Sequence, residues 1–289
     1  MRRATRRRVY LDAVTAPPPY LMTMPLHAIT EIYGEAGLRE RFGLEIERLA
    51  PADRDRVREA LELAAALHRD DRRVREPYLN HLLRVAIRII CYYHVTDVDV
   101  IIAALLHDAV EDHPAELAGP LAGPTDATAP ADAIGPSAEP TARPEPAGQP
   151  DPAETEAALA TLARRFGPRV ADLVRAVTNP AYDPTRDRDE QYRAHVAQSL
   201  ERDPWARVIK ISDFTDNGVG VIHTTGDKVV RSARKYRPLV PIFRDLVNRP
   251  DTPLTAEVRA HILDQLKLAE QRFAAILDGH QPTPATPPR

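Results

Sequence analysis

An all-α fold is predicted for this chain, and three features of its sequence predict it. Strand-type alternation is nearly absent, and apolar residues recur at helical spacing from about Ala52 onward. The breaks between periodic stretches fall at residues such as Pro77 and Gly167-Pro168, which start and stop helices.

Taken in order, the first helix is expected over Asp53 to His68, with Val57, Leu61, Ala64, Ala65 and Leu67 inward. A second opens at Pro77, suited to a first helical position, and runs through Leu79, Leu82, Leu83, Ala86, Ile89 and Ile90. A third takes Thr96 or Asp97 as its cap and continues through Val100, Ile101, Ala104 and Leu105 to Asp112. From Pro114 to Pro152 the composition shifts to Ala, Pro, Gly, Thr and Asp. Such a stretch buries too little apolar surface to offset its ordering entropy, and it reads as a disordered insertion. Periodicity resumes at Glu154, breaks at Gly167-Pro168 and continues to Val177. Further helices are expected over Arg188 to Leu200, Pro204 to about Asp213, Asp227 to Val247 and Pro253 to Leu277. The sum is a bundle of roughly eight to ten helices. Residues 1–50 read as an N-terminal extension, 51–278 as one domain interrupted by 114–152, and 279–289 as a loose tail.

Composition narrows the function. Apolar residues make up 43% of the 289, enough for a sizeable core, and the net charge of −3 offers no global field for nucleic acid or anionic lipid. The basic start MRRATRRR is followed by Asp12 and three prolines rather than an apolar run, so it does not read as a secretory signal. The longest apolar stretch, Val98 to Leu106, is too short to span a membrane. The single cysteine, Cys91, excludes an internal disulfide and fits a reducing, cytoplasmic setting. The basic run Lys228, Arg231, Arg234, Lys235 and Arg237 fits either a solvated helix face or contacts to phosphates.

Three stretches carry unusual polar residues. They are Glu76 to His81, His107 to Asp112 at the end of a very apolar helix, and Lys210 to Asn217. On a continuous helix His107 and Glu111 share a face, as do Asp108 and Asp112. Three carboxylates at a helix C-terminus conflict with the macrodipole, and a divalent metal would remove the conflict. His81 and Asp213 lie at the edges of similar apolar stretches. Two histidines and two aspartates suit Mn²⁺, Fe²⁺ or Zn²⁺, and such an ion lowers the pKa of water and polarises phosphorus.

The ordered pattern His…His-Asp…Asp resembles the HD superfamily, and its flanks resemble the hydrolase domain of RelA/SpoT enzymes. Those flanks are Glu-Pro-Tyr before His81, His107-Asp108 followed by Glu111-Asp112, Phe166-Gly167, Val177-Thr178, and Lys210 with Asp213 and Asn217. The resemblance spans about Asp53 to Leu246 outside the Pro-rich stretch. It implies an HD-domain bundle in which His81, His107, Asp108 and Asp213 hold Mn²⁺. It further implies that Glu111 and Asp112 position or deprotonate the attacking water. Arg72 or Arg73, Lys210 and Asn217 would contact the nucleotide. The implied reaction removes the 3′-pyrophosphate of (p)ppGpp, as in small stand-alone alarmone hydrolases, with no membrane or nucleic-acid partner. Two other readings stay open: a phosphohydrolase acting on another nucleotide or dinucleotide cofactor phosphate, and an inactive module that binds an alarmone or a partner. Asn217 before Gly218 also fits a turn, and Lys210 a surface cation. The chain departs from the family pattern at Leu82, Phe214 and Asp216, and after Asn217 it reads Gly218-Val219-Gly220. The departures at 214, 216 and 218–220 are expected where substrate is gripped.

Overall fold

A computed structural model of the chain describes residues 19–73, 76–119, 151–218 and 227–279. Among these the regular structure is helical, with one isolated bridge between Arg72 and Pro77.

After a 3₁₀ turn over Pro19–Met22 come α1 (Leu26–Ile46), α2 (Pro51–Leu67) and α3 (Leu79–Cys91). Next are α4 (Val98–Leu105), α5 (Ala109–Asp112) and α6 (Pro114–Ala118). Then follow α7 (Pro152–Phe166), α8 (Pro168–Val177), α9 (Arg188–Arg202) and α10 (Pro204–Gly218). The last three are α11 (Asp227–Tyr236), α12 (Leu239–Asn248) and α13 (Ala256–Asp278).

Local chemistry explains most boundaries. Pro51, Pro152 and Pro168 stand in the first turns of α2, α7 and α8, where the missing N–H costs nothing. Asp97 caps α4 by accepting from the backbone N–H of Asp99 and Val100, which settles the choice between Thr96 and Asp97. Gly167, at φ 102°, turns the chain from α7 into α8 in a conformation that a residue with a Cβ rarely adopts.

Two helices form the axis of the molecule. In α3 every residue except Arg88 and Cys91 is buried, and in α10 the run from Ala206 to Asp216 is buried throughout. They pack against each other, and the Ser212 hydroxyl donates to the Val85 carbonyl at 2.9 Å. Around this pair α1 and α4 pack on α3, while α4, α8, α9, α11 and α13 pack on α10. Arg207, fully buried at the start of α10, donates to Asp251 and Thr252 and to the Leu200 carbonyl. Its charge is thereby compensated, and α10 is anchored to the segment before α13.

Several sequence-based boundaries need correction. Residues 19–50 are not an appendage: Leu26, Ile29, Leu38, Phe42 and Ile46 are buried, and α1 packs on α3. The segment set aside as an insertion begins later than Pro114, because Pro114–Ala118 is helical and buries Leu117 against α7. Residues 120–150, the segment 219–226 and the tail from 280 lie outside the described residues. The helix expected over Asp227 to Val247 is two helices, parted at Arg237-Pro238, since proline cannot continue the hydrogen-bond ladder. Arg231 and Arg234 on α11 are exposed while Ala233 is buried, as on a solvated helix face. No helix among the described residues is long and apolar enough to cross a membrane.

Candidate metal centre

The site lies where the start of α3, the turn between α4 and α5, and the last turns of α10 meet. The continuous helix expected from Thr96 or Asp97 to Asp112 does not form. It ends at Leu105, Leu106 leaves helical geometry, and His107 and Asp108 occupy a turn before the single-turn α5. Successive residues on an unbroken helix point about 100° apart. The break lets two consecutive side chains serve one point, and His107 Nε2 lies 3.1 Å from Asp108 Oδ2.

His81, from the first turn of α3, places Nε2 3.3 Å from Asp213 Oδ1 and 3.7 Å from Asp108 Oδ2. His107 Nε2 is 3.8 Å from the same Asp213 oxygen. Four donor atoms from three separate segments thus converge, and all four residues are buried or nearly so.

The outer nitrogens explain the orientation of both rings. His81 Nδ1 sits 2.8 Å from Asp216 Oδ2, and His107 Nδ1 sits 2.9 Å from the Ala104 carbonyl oxygen. A carboxylate and a carbonyl can only accept, so each ring carries its proton on Nδ1 and turns a bare Nε2 inward. Both Nε2 atoms are buried and have no hydrogen-bond partner. Two inward nitrogens and two carboxylate oxygens are a donor set suited to a divalent cation. Electrostatics agree. Burial opposes a charged His107, yet the Asp108 and then the Asp213 carboxylate push it up to about 10, so without an ion Nε2 takes up a proton, and a cation would stand in that proton's place.

Neighbouring groups hold the two carboxylates. The Tyr78 hydroxyl donates to Asp108 Oδ2 at 2.7 Å. Lys210 Nζ is 3.0 Å from Asp213 Oδ2, and the Asn217 amide donates to Asp213 Oδ1 at 2.6 Å. Lys210 is therefore a buried partner of Asp213 rather than a surface cation, and Asn217 lies within α10 rather than in a turn. The Lys210 charge is the main influence holding the Asp213 carboxyl well below its ordinary range, against the effect of burial.

Glu111 faces Asn179, whose amide nitrogen lies 2.9 and 2.8 Å from its two oxygens. The helix break thus separates it from the helical pairing with His107 that its spacing predicts. Burial, and then the Asp108 charge, raise its pKa. Asp112 remains one helical turn from Asp108, with its N–H donating to the Asp108 carbonyl. Of the two candidate arginines the structure brings in Arg73. Its guanidinium lies over the Tyr78 ring at 5.2 Å and 3.9 Å from Asp216, whereas Arg72 is exposed and turned back to the carbonyls of Arg69 and Asp71.

Sequence reasoning missed a buried charged layer behind His81. Asp216 accepts from Arg84 and Arg88 as well as His81, and Arg84 also pairs with Glu76 at 2.7 Å. The signal was present: Arg84 and Arg88 are the two cations in an otherwise apolar helix, three and seven residues after His81 and on its face. Two departures from the family pattern were also misplaced. Asp216 lies behind His81, and Phe214 is in the core against Phe243, Tyr236 and Phe273. Gly218 belongs to that packing, since a Cβ there would meet both Phe214 and Phe273 at 3.2 Å.

Within the helical bundle His81, His107 and Asp108 form a group that could hold a metal ion, and Asp213 Oδ1 lies 3.3 Å from His81 Nε2 beside it. The chain is 28% identical over 162 residues to the guanosine-3′,5′-bis(diphosphate) 3′-pyrophosphohydrolase MESH1 of Drosophila melanogaster, covering 55% of this chain and 65% of that protein. Its likeness to the human protein of the same name is 28% over 158 residues, covering 54% and 63%. The chain therefore spans just under two thirds of the length of these curated relatives. A solved structure described as "A metazoan ortholog of SpoT hydrolyzes ppGpp and plays a role in starvation responses" aligns with a TM-score of 0.48 and 24% identity. That alignment covers 75% of this chain and 95% of the other. No family model matches.

Proposed function

We propose that this chain is a metal-dependent phosphohydrolase that removes the 3′-pyrophosphate of (p)ppGpp, leaving GDP or GTP, in a cytoplasmic setting. The observation that carries the reading is the pair of orphaned Nε2 atoms of His81 and His107, turned inward beside Asp108 and Asp213. Its support in substrate identity is the activity for which the curated relatives are named.

His81, His107, Asp108 and Asp213 would hold the metal, with Mn²⁺ as the proposed ion. A divalent ion bound there would acidify water and polarise the phosphoryl oxygens. Glu111, kept in place by Asn179 and made more basic by burial, takes the proton of the attacking water. Asp112 orients that water. A bond forms between the water oxygen and phosphorus as the bond from phosphorus to the 3′ oxygen breaks. The proton that Glu111 took from the water passes to the departing 3′ oxygen, and the nucleotide leaves with its 3′ hydroxyl restored. Arg73 faces the nucleotide, while Lys210 and Asn217 act mainly by holding Asp213. Two departures in the third motif do not themselves call for a different substrate, because Phe214 packs in the core and Asp216 supports His81.

The test is pyrophosphate release from ppGpp by the purified protein, with and without Mn²⁺, beside an Asp108→Ala control. The expected result is metal-dependent release that the substitution removes. Release that survives in Asp108→Ala overturns the metal-centred mechanism, and a protein that binds Mn²⁺ without releasing pyrophosphate overturns the substrate.

A further inference from the structure

A second group of ligating side chains lies on the far side of Tyr78. His68 closes the C-terminus of α2, Asp71 follows in the loop, and His113 joins α5 to α6. Asp71 Oδ2 lies 2.7 Å from His68 Nδ1 and 2.8 Å from His113 Nε2. The two rings meet edge to face, with centroids 4.7 Å apart. The other nitrogen of His113, Nδ1, faces Glu116 Oε2 at 3.2 Å. His68 is stacked on the Tyr78 ring at 4.9 Å, so the phenol whose hydroxyl reaches Asp108 forms a wall between the two clusters.

Proton counting shows that neutral rings do not close this cluster. Three ring nitrogens (His68 Nδ1, His113 Nε2 and His113 Nδ1) face carboxylate oxygens, and two neutral imidazoles carry only two protons. One added positive charge, either a proton or a cation among the three donors, satisfies the arrangement. A cation leaves His113 its Nδ1 proton for Glu116. That is the division of labour seen at the first centre, where the outer nitrogens of His81 and His107 donate to Asp216 and to Ala104. His68 Nε2 is buried without a hydrogen-bond partner in either case and does not decide between them. The carboxylate is ready to ligate: the hydrogen bond from His68 does most to hold Asp71 well below its ordinary range, against burial and with help from His113.

We propose that His68, Asp71 and His113 form a second divalent-metal site, separate from the one at His81 and selective for Zn²⁺ over Mn²⁺. Their donor atoms lie within 4.8 Å of one another. Two imidazoles and one carboxylate make a three-ligand set that leaves room for water on a tetrahedral ion, and borderline nitrogen donors rank Zn²⁺ above Mn²⁺. The site does not depend on the hydrolase reading.

Metal-free full-length protein is titrated with Zn²⁺ and its bound metal measured after dialysis, with circular dichroism as the check on folding. Wild type is expected to retain about two ions per chain; His113→Ala, the near-isosteric Asp71→Asn and Asp108→Ala about one each; and His113→Ala with Asp108→Ala none. Wild-type stoichiometry in both His113→Ala and Asp71→Asn overturns the proposal and leaves a hydrogen-bonded clamp. An ion lost in Asp108→Ala but in neither of those variants overturns the second site and spares the hydrolase reading. An ion lost in His113→Ala and Asp71→Asn but kept in Asp108→Ala upholds the second site and removes the metal centre from that reading.

Discussion

The two histidine–aspartate clusters flanking Tyr78 use the same residue types in different states. At His81 and His107 the inner nitrogens stand 3.1 to 3.8 Å from the carboxylates, without hydrogen-bond partners, and their outer nitrogens are already occupied. At His68 and His113 both rings close on one oxygen of Asp71 at 2.7 and 2.8 Å. At the first cluster an ion takes the place of the one proton that the carboxylates draw onto His107, whereas at the second it must displace the hydrogen bonds that both rings make to Asp71. What distinguishes a prepared metal site is the set of buried atoms left unpaired, more than the number of ligating residues.

Substitutions can break that contrast or sharpen it. The largest effect is expected from Asp108→Ala, which removes a ligand: metal at the first centre is lost and hydrolysis falls to background, read by bound metal and pyrophosphate release. Glu111→Gln removes a base and no ligand. Turnover should drop by about 10²- to 10⁴-fold with metal content unchanged, and a parallel loss of metal would make Glu111 a ligand instead. Asp216→Asn keeps an acceptor for His81 but discards the charge behind it, so metal affinity should weaken by roughly 10- to 100-fold. Calorimetric titration with Mn²⁺ reads that change, and an unchanged affinity would reduce Asp216 to a structural counter-ion for Arg84 and Arg88. The smallest effect on the centre is expected from Phe214→Ala, whose side chain turns from the same helix into the core against Phe243 and Phe273. It should cost about 3 kcal/mol or more of stability in denaturant unfolding while leaving metal affinity of the folded protein near wild type.

Much of this protein is legible in its sequence. Pro51, Asp97 and Gly167-Pro168 act through local backbone chemistry, so the starts of α2, α4 and α8 can be placed to within a few residues. The four proposed metal ligands stand out because polar residues interrupt apolar helices in a recognisable order. The break at Leu106 is not legible, since nothing in Ala-Ala-Leu-Leu-His-Asp opposes a helix locally. It arises from the tertiary arrangement that aims His107 and Asp108 together while Glu111 turns to Asn179. The division of α11 from α12 is a different case. Its signal, Pro238, is local and plain, but helical periodicity on both sides of the proline masks it.

By itself the sequence determined the helical class, the order of the ligands and the family they resemble, because periodicity, capping and motif spacing are properties of neighbouring residues. Only the tertiary structure decided which polar atoms remain unpaired, that Asp216 backs His81 from 135 residues away, and that His68, Asp71 and His113 meet at all. Hydrogen-bond partners between segments distant in the chain are set by how the helices pack, and no local pattern encodes that packing.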